Sequence, residues 1–242
     1  MPCGYDGRVT VAAVMLFSEP DGALVDTAGR AAVRRMVETA WAGGATPIVV
    51  VCFDPNGSVA SALAGSPAVL AEPAPPEAGL VGQIAHGMRV AAAQVSETDA
   101  ALLWPGRMAW VDAETVTTLI ERHGVEREQV LRPQYEGVAG WPALVPIKYL
   151  DRLAGLPADL TTESLLDRLA ADHPSGLFDT GDPGTVHDGS VAIDDLPAYS
   201  GPPEPAHQAP EWGAAAADAT DEGPLAGPAL APYGQAADPE SD

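Results

Sequence analysis

The chain is poor in basic residues, and this scarcity excludes several kinds of partner. It has 12 Lys and Arg against 34 Asp and Glu in 242 residues, a formal net charge of −22 at pH 7. Nucleic acids and anionic membrane surfaces both attract positively charged proteins, so we expect neither as a partner. No apolar run approaches the ~18 residues that cross a bilayer, and the first eight residues are polar. We therefore expect a soluble, cytoplasmic protein.

Several residue patterns that carry chemistry are also missing. Two cysteines, Cys3 and Cys52, are too few for a disulfide framework, and Cys52 lies in an apolar run that predicts burial. The five histidines have neither the HxH nor the i, i+4 spacing typical of zinc sites. The GxGxxG pattern of dinucleotide binding and the GxSxG pattern of serine hydrolases do not occur. These absences disfavour zinc, dinucleotide and serine-hydrolase chemistry.

The charge is unevenly spread and divides the chain. All basic residues lie at or before Arg168, and 14 acidic residues follow it. The last 46 residues hold 9 Pro, 13 Ala and 5 Gly, a composition that buries too little apolar surface to offset its ordering entropy. We predict a domain over 9–199 and a disordered acidic tail over 200–242. Trp212 and Tyr233 are candidate docking points for a protein partner; the alternatives are that they are inert or fold back onto the domain.

Within 9–199, apolar runs typical of buried strands alternate with amphipathic helices. The predicted strands cover 9–17, 47–53, 67–71, 99–104, 129–133 and 143–146, and residues 184–186 are strand-like. The predicted helices cover 28–43, with Trp41 in the core, then 56–63, 79–95, 112–123 and 161–171. This alternation predicts an α/β fold with a mostly parallel sheet. Such sheets bind ligands at the carboxyl ends of their strands.

The loop after the first predicted strand is acidic. It reads LFSEPDGALVD over 16–26, with one glycine, three acidic residues and no basic residue. A phosphate-binding loop needs glycines for close backbone approach, and usually a Lys or Arg. We therefore expect this loop to repel a triphosphate.

Other stretches resemble the MobA-like nucleotidyltransferases, which attach CMP or GMP to molybdopterin. After a helix at 79–92, LWPGRMAWVDAETV (103–116) and RPQYEGVAGWPAL (132–144) resemble the family patterns LPGDMPxVxxxTV and YxGxxGHPVL, and GDPGTVHD (181–188) resembles its closing motif. The resemblance covers roughly 9–198. It implies a three-layer, Rossmann-like fold of the nucleotide-diphospho-sugar transferase type. It also implies a nucleotide or ligand site that includes Gly79, Gly106, Arg107, Tyr135, Gly137 and Gly140.

The sequence departs from this family at the residues that do chemistry. The family loop LAAGxSxRMGxxK holds the triphosphate, whereas this chain has the shorter acidic loop. Arg107 stands where the family has the Asp that carries the catalytic metal, and Asp188 is the remaining candidate metal ligand. Nucleotidyl transfer depends on positioning and on neutralisation of charge by a metal. We therefore expect transfer to be lost or impaired, with Mg²⁺ implied only for an active enzyme.

Arg107 has two interpretations. In the first, it contacts a phosphate in place of the metal ion, with Met108 and Trp110 beside it as a flat surface for a base or pterin. In the second, it forms an ion pair with Glu136 or Asp188.

Three functions remain open. The first is a diverged MobA-like protein without nucleotidyl transfer, a binding or assembly factor for the molybdenum cofactor or a molybdenum hydroxylase. It would hold a nucleotide or molybdopterin-type ligand and contact a protein partner through the acidic tail. The second is an active Mg²⁺-dependent cytidylyltransferase that uses CTP and a molybdopterin-type phosphate acceptor at a rebuilt phosphate site. The third is an unrelated α/β small-molecule binding protein whose motif matches are accidental.

Overall fold

The computed structural model describes residues 9–202. Its strands are β1 (Val11–Leu16), β2 (Ile48–Val51), β3 (Ala68–Ala71), β4 (Ala100–Pro105), β5 (Val130–Tyr135), β6 (Val138–Ala139), β7 (Ala143–Pro146) and β8 (Ser175–Asp179). Its α-helices are α1 (Pro20–Leu24), α2 (Ala32–Ala42), α3 (Ser58–Leu63), α4 (Gly79–Gln94), α5 (Ala113–Val125), α6 (Leu150–Ala154) and α7 (Thr162–Asp172). The tail was predicted over 200–242, and its residues from 203 onwards, with Trp212 and Tyr233, lie outside the described residues.

The strands form one mixed sheet in the order β3-β2-β1-β4-β7-β5-β6, with β8 paired to β5. Strands β1 to β4 are parallel, and Leu16 of β1 aligns with Val51 of β2 and with Pro105 of β4. Strand β7 runs antiparallel to β4 and β5. The chain adds β2 and β3 on one side of β1 and then places β4 on the other. Such a reversal of strand order opens a crevice at the carboxyl edge of the sheet.

The central strands are nearly continuous apolar runs because helices cover both faces of the sheet. Helix α4 packs on β1 and β2 and against α6, while α2 packs against α5. The approach of α4 is close: a Cβ on Gly87 would lie 2.4 Å from Val14 Cγ1. Cys52, directly after β2, is buried as predicted. The fold is therefore the predicted three-layer, Rossmann-like α/β fold with a mostly parallel sheet.

Two predicted helix starts are confirmed by side-chain caps. The Asp112 carboxylate accepts the Glu114 N–H at 2.8 Å and begins α5, and the Thr161 hydroxyl accepts the Ser164 N–H at 3.2 Å and begins α7. Each cap satisfies a backbone donor that the first helical turn leaves unpaired.

Three details of the prediction are wrong. Trp41 is 57% exposed, because the buried stripe of α2 ends at Ala40 and the helix itself ends at Ala42. Residues 184–186 are not strand-like; a 3₁₀ turn covers Pro183–Thr185. The strands β6 and β8 and the short helices α1 and α6 were not predicted. No helix within residues 9–202 has the length and apolar character needed to span a membrane.

Candidate functional site

A cleft of about 760 Å³ lies at the carboxyl edge of the sheet, where the strand order reverses. Its lining includes Leu16, Val51 and Pro105, the last residues of β1, β2 and β4. Val25 from the loop after β1 and Leu80 from α4 add further apolar wall. The cleft therefore occupies the position at which the α/β topology predicts a ligand.

Phe17 and Gly106 lie against each other in the lining of this cleft. The Gly106 N–H donates to the Leu16 carbonyl at 2.8 Å and so holds the ends of β1 and β4 together. A Cβ on Gly106 would lie 2.3 Å from Cδ1 of the Phe17 ring, which is 8% exposed. Gly106, a predicted site residue, is thus required here by the close approach of an aromatic ring.

The rim of the cleft carries two carboxylates, Glu19 and Asp188. Glu19 directly precedes α1, and its exposed side chain makes no capping hydrogen bond. The Asp188 carboxylate accepts the Ser190 hydroxyl at 2.5 Å and the Ser190 N–H at 3.0 Å. These bonds, with the nearby charge of Arg107, hold the pKa of Asp188 below its usual value. Asp188 is therefore ionised at neutral pH.

Arg107 is the only basic residue in the lining, as far as residues 9–202 show. Its Nη2 lies 3.5 Å from Oε1 of Glu163, in the first turn of α7, and both side chains are more than half exposed. The ion pair predicted with Glu136 or Asp188 is thus made with Glu163, because α7 begins beside the cleft. An exposed pair of this kind contributes only about 0–1 kcal/mol.

The flat surface expected from Met108 and Trp110 does not form. Met108 is buried, and its carbonyl accepts the Trp104 indole N–H at 2.8 Å. The Trp110 indole donates to the Val191 carbonyl at 2.9 Å, and the Arg35 guanidinium lies 5.0 Å from its ring centre. Both side chains are therefore engaged in packing, and neither lines the cleft.

The structure does not bring the other predicted site residues to the cleft. These are Gly79, Tyr135, Gly137 and Gly140. Tyr135 ends β5, and Gly137 has φ 79° in the two-residue turn to β6, after Glu136 with φ 50°. Positive φ at both turn residues is typical of a type I′ hairpin. Gly140 lies against the Thr185 backbone and Gly79 begins α4, so a ligand role for these four residues stays a prediction.

The residues at the cleft do not fit a protein-held divalent metal. Within the described range, no three His, Cys, Asp or Glu side chains form a group that could hold an ion. Asp188 is already bonded to Ser190, and the guanidinium of Arg107 is close enough to lower its pKa. A site that holds a divalent ion through protein groups alone needs several oxygen ligands, whereas Mg²⁺ is often held by one or two carboxylates together with substrate phosphates. We therefore derive no metal-dependent step from this site.

The buried Asp182 carboxylate joins its own turn to the loop between β4 and α5 and to α5 itself. The sequence analysis quoted this residue within GDPGTVHD but gave it no role. Its Oδ2 accepts the Asp112 N–H at 2.9 Å and the Thr115 hydroxyl at 2.7 Å, and its Oδ1 accepts the Gly184 N–H at 2.8 Å. Burial raises the pKa of Asp182, and the three donors oppose that rise. The available signal was an Asp directly before Pro183 in an otherwise uncharged run.

Comparison with known families identifies the domain. The profile of the MobA-like NTP transferase domain matches residues 17–173. The chain belongs to the MobA-like NTP transferase family. The hypothesis of accidental motif matches in an unrelated protein is therefore wrong. The match ends before Asp182 and Asp188, so one wall of the cleft comes from sequence beyond the matched part of the MobA-like NTP transferase domain.

Several solved structures share the fold of this chain, and one of them is named a nucleotidyl transferase. Rv0371c from Mycobacterium tuberculosis H37Rv is 17% identical, with a TM-score of 0.57 over 74% of this chain and 95% of that one. A nucleotidyl transferase from Methanothermobacter is 17% identical, with a TM-score of 0.54 over 69% and 86%. A CMP:2-keto-3-deoxy-manno-octonic acid synthetase complexed with CTP is 15% identical, with a TM-score of 0.51 over 71% and 90%. At these identities the likeness shows the fold alone. No curated protein matched the sequence.

Proposed function

We propose that this member of the MobA-like NTP transferase family has lost nucleotidyl transfer and uses the cleft to bind a ligand. The observation that carries the proposal is the loop after β1. In the family this loop cradles the triphosphate, whereas here it forms the short helix α1, with Glu19 at the cleft and no basic residue. A triphosphate needs backbone amides and positive charge in this place.

The charge of Arg107 supports the same proposal. One guanidinium already paired with Glu163 does not neutralise a triphosphate, and Glu19 and Asp188 oppose it. Among residues 9–202, the cleft lining holds no second basic residue that could supply the remaining positive charge. The rival function is an active Mg²⁺-dependent cytidylyltransferase, which the family match supports.

The test is thermal unfolding of the full chain with CTP, GTP and ATP, each with and without Mg²⁺. A ligand at about 100 times its dissociation constant adds about 2.7 kcal/mol, which raises Tm by roughly 5–10 °C for a domain of this size. We expect no shift. A Mg²⁺-dependent shift with one nucleotide would reject the proposal in favour of the active enzyme.

The variant Arg107→Asp sharpens this test. It restores the acidic residue that the family has at this position but leaves the acidic loop in place. We therefore expect it to bind no nucleotide and to transfer no CMP. Measurable pyrophosphate release from CTP by this single variant would show that the loop is not the barrier.

The biological setting is also a proposal, and the family resemblance alone supports it. We propose that the protein acts in handling of the molybdenum cofactor or in maturation of a molybdenum hydroxylase, as a binding or assembly factor located in the cytoplasm. The acidic tail is the proposed contact with a protein partner. Reconstitution of a purified, cofactor-free molybdenum hydroxylase, with the full chain and with a chain ending at Pro203, tests both parts. A rate of activation unchanged by the full chain would reject this setting.

A further inference from the structure

The walls of the cleft are mostly apolar. Phe17 and Val25 from the segment after β1, Val51 from β2 and Leu80 from α4 line it. Gln83 also lines the cleft, but its amide is already used: it donates to the Ala74 carbonyl at 2.7 Å and accepts the Ala74 N–H at 2.8 Å. The interior therefore offers contact area rather than hydrogen bonds, and suits a ligand with an apolar body.

The rim has an excess of negative charge. Glu19 and Asp188 line it, against the single positive charge of Arg107, which also forms an exposed ion pair with Glu163. Asp21, in α1, and Asp26, just after it, belong to the same segment of the chain as Glu19 (16–26) and are also exposed. The carboxylates of the lining therefore come from two separate segments, the one after β1 and residues 188–190. Such a field attracts cations and repels anions.

We propose that the ligand of this cleft is an organic cation with an apolar body, and this proposal rests on the proposed non-catalytic binding function. The apolar body contacts Phe17 and Leu80, and the positive group lies at the rim between Glu19 and Asp188. This ligand class differs from the phosphorylated ligands that the family resemblance implies.

Three probes with one apolar body and different charges test this proposal: phenylpropylamine, phenylpropanol and phenylpropionate. Their binding to the full chain is measured by titration calorimetry at neutral pH and low salt. We expect the amine to bind tightest and phenylpropionate weakest, at least about tenfold apart, with a smaller difference at about 0.5 M salt because ions screen the rim. Equal or tighter binding of phenylpropionate would overturn the proposal, and so would failure of all three probes to bind.

Charge-removing variants locate the binding. Glu19→Gln and Asp188→Asn should each weaken amine binding about two- to fivefold, the range of exposed charge pairs, and leave phenylpropanol unchanged. Asparagine keeps an oxygen for the bonds from Ser190. The matched control is Glu121→Gln, an exposed residue of α5 outside the cleft, which should change nothing. If both rim variants bind the amine as tightly as the parent protein does, the placement of the amine between Glu19 and Asp188 is refuted.

A parallel titration with CTP and Mg²⁺ separates the two proposals. If neither CTP nor the amine binds, the ligand assignment fails while the absence of nucleotide binding stands. If CTP binds with Mg²⁺ and the amine does not, both proposals fail.

Discussion

Replacement of Asp182 by alanine should be strongly destabilising. The carboxylate is 2% exposed and accepts three hydrogen bonds, from the Asp112 N–H, the Thr115 hydroxyl and the Gly184 N–H. Alanine leaves all three donors without this acceptor. An unsatisfied buried donor costs about 1–3 kcal/mol. Because neighbouring losses do not add fully, we expect a total loss of about 3–5 kcal/mol in the free energy of unfolding.

Urea denaturation followed by fluorescence and circular dichroism measures this loss. At about 2–4 °C per kcal/mol for a domain of this size, Tm should fall by roughly 6–20 °C. The matched control is Asp195→Ala, an exposed aspartate in the 3₁₀ turn Ile193–Asp195, for which we expect a change within about 0.5 kcal/mol. A loss below about 1 kcal/mol for Asp182→Ala would show that the three donors find water or other acceptors. It would refute the claim that the Asp182 carboxylate holds this part of the fold together.

Two further predictions concern a buried imidazole and the floor of the cleft. His123 is 1% exposed with neither ring nitrogen hydrogen-bonded, and burial lowers its pKa below 6.5. The unfolded chain therefore binds a proton near pH 6.5 that the folded chain excludes, and stability falls as pH drops below that value, by up to about 1.4 kcal/mol per unit. His123→Leu should remove this part of the loss, measured as urea midpoints at neutral and mildly acidic pH; parallel midpoints in both proteins would contradict it. Gly106→Ala should cost about 1–3 kcal/mol by forcing the Phe17 ring to move, and should also weaken binding of phenylpropylamine; an unchanged Tm would show that the ring shifts freely.

The architecture was predictable because apolar runs and helix caps can be identified from short stretches of sequence. The parallel strands β1, β2 and β4 appear in the sequence as uncharged stretches, and Asp112 and Thr161 mark helix starts without any knowledge of tertiary contacts. Strand β8 was not predicted because its sequence, SGLFD, has neither alternating apolar and polar residues nor a continuous apolar run. It pairs with β5 in parallel. Trp41 was misassigned because helical spacing alone does not show where the covering layer ends.

The site was only partly predictable, because its contacts join residues that are far apart in the sequence. Gly106, Arg107 and Asp188 could be brought together by the family resemblance, and all three line the cleft. The partner of Arg107 could not be found from local sequence, because Glu163 is 56 residues away and is placed by the packing of α7. The bonds from Asp112 and Thr115 to Asp182 span 70 and 67 residues. The spacing of apolar residues along the sequence does not predict contacts over such distances.

The segment after α7 gives the cleft a wall that the central strands do not supply. Strands β1 to β7 all precede residue 147, whereas the Asp182 carboxylate accepts the Asp112 N–H, and the Gly189 N–H donates to the Arg107 carbonyl at 2.7 Å. These bonds fasten the segment to the loop after β4. Because parts of a protein can open locally while the rest stays folded, opening of residues 181–190 would remove this wall and leave β1 to β4 paired.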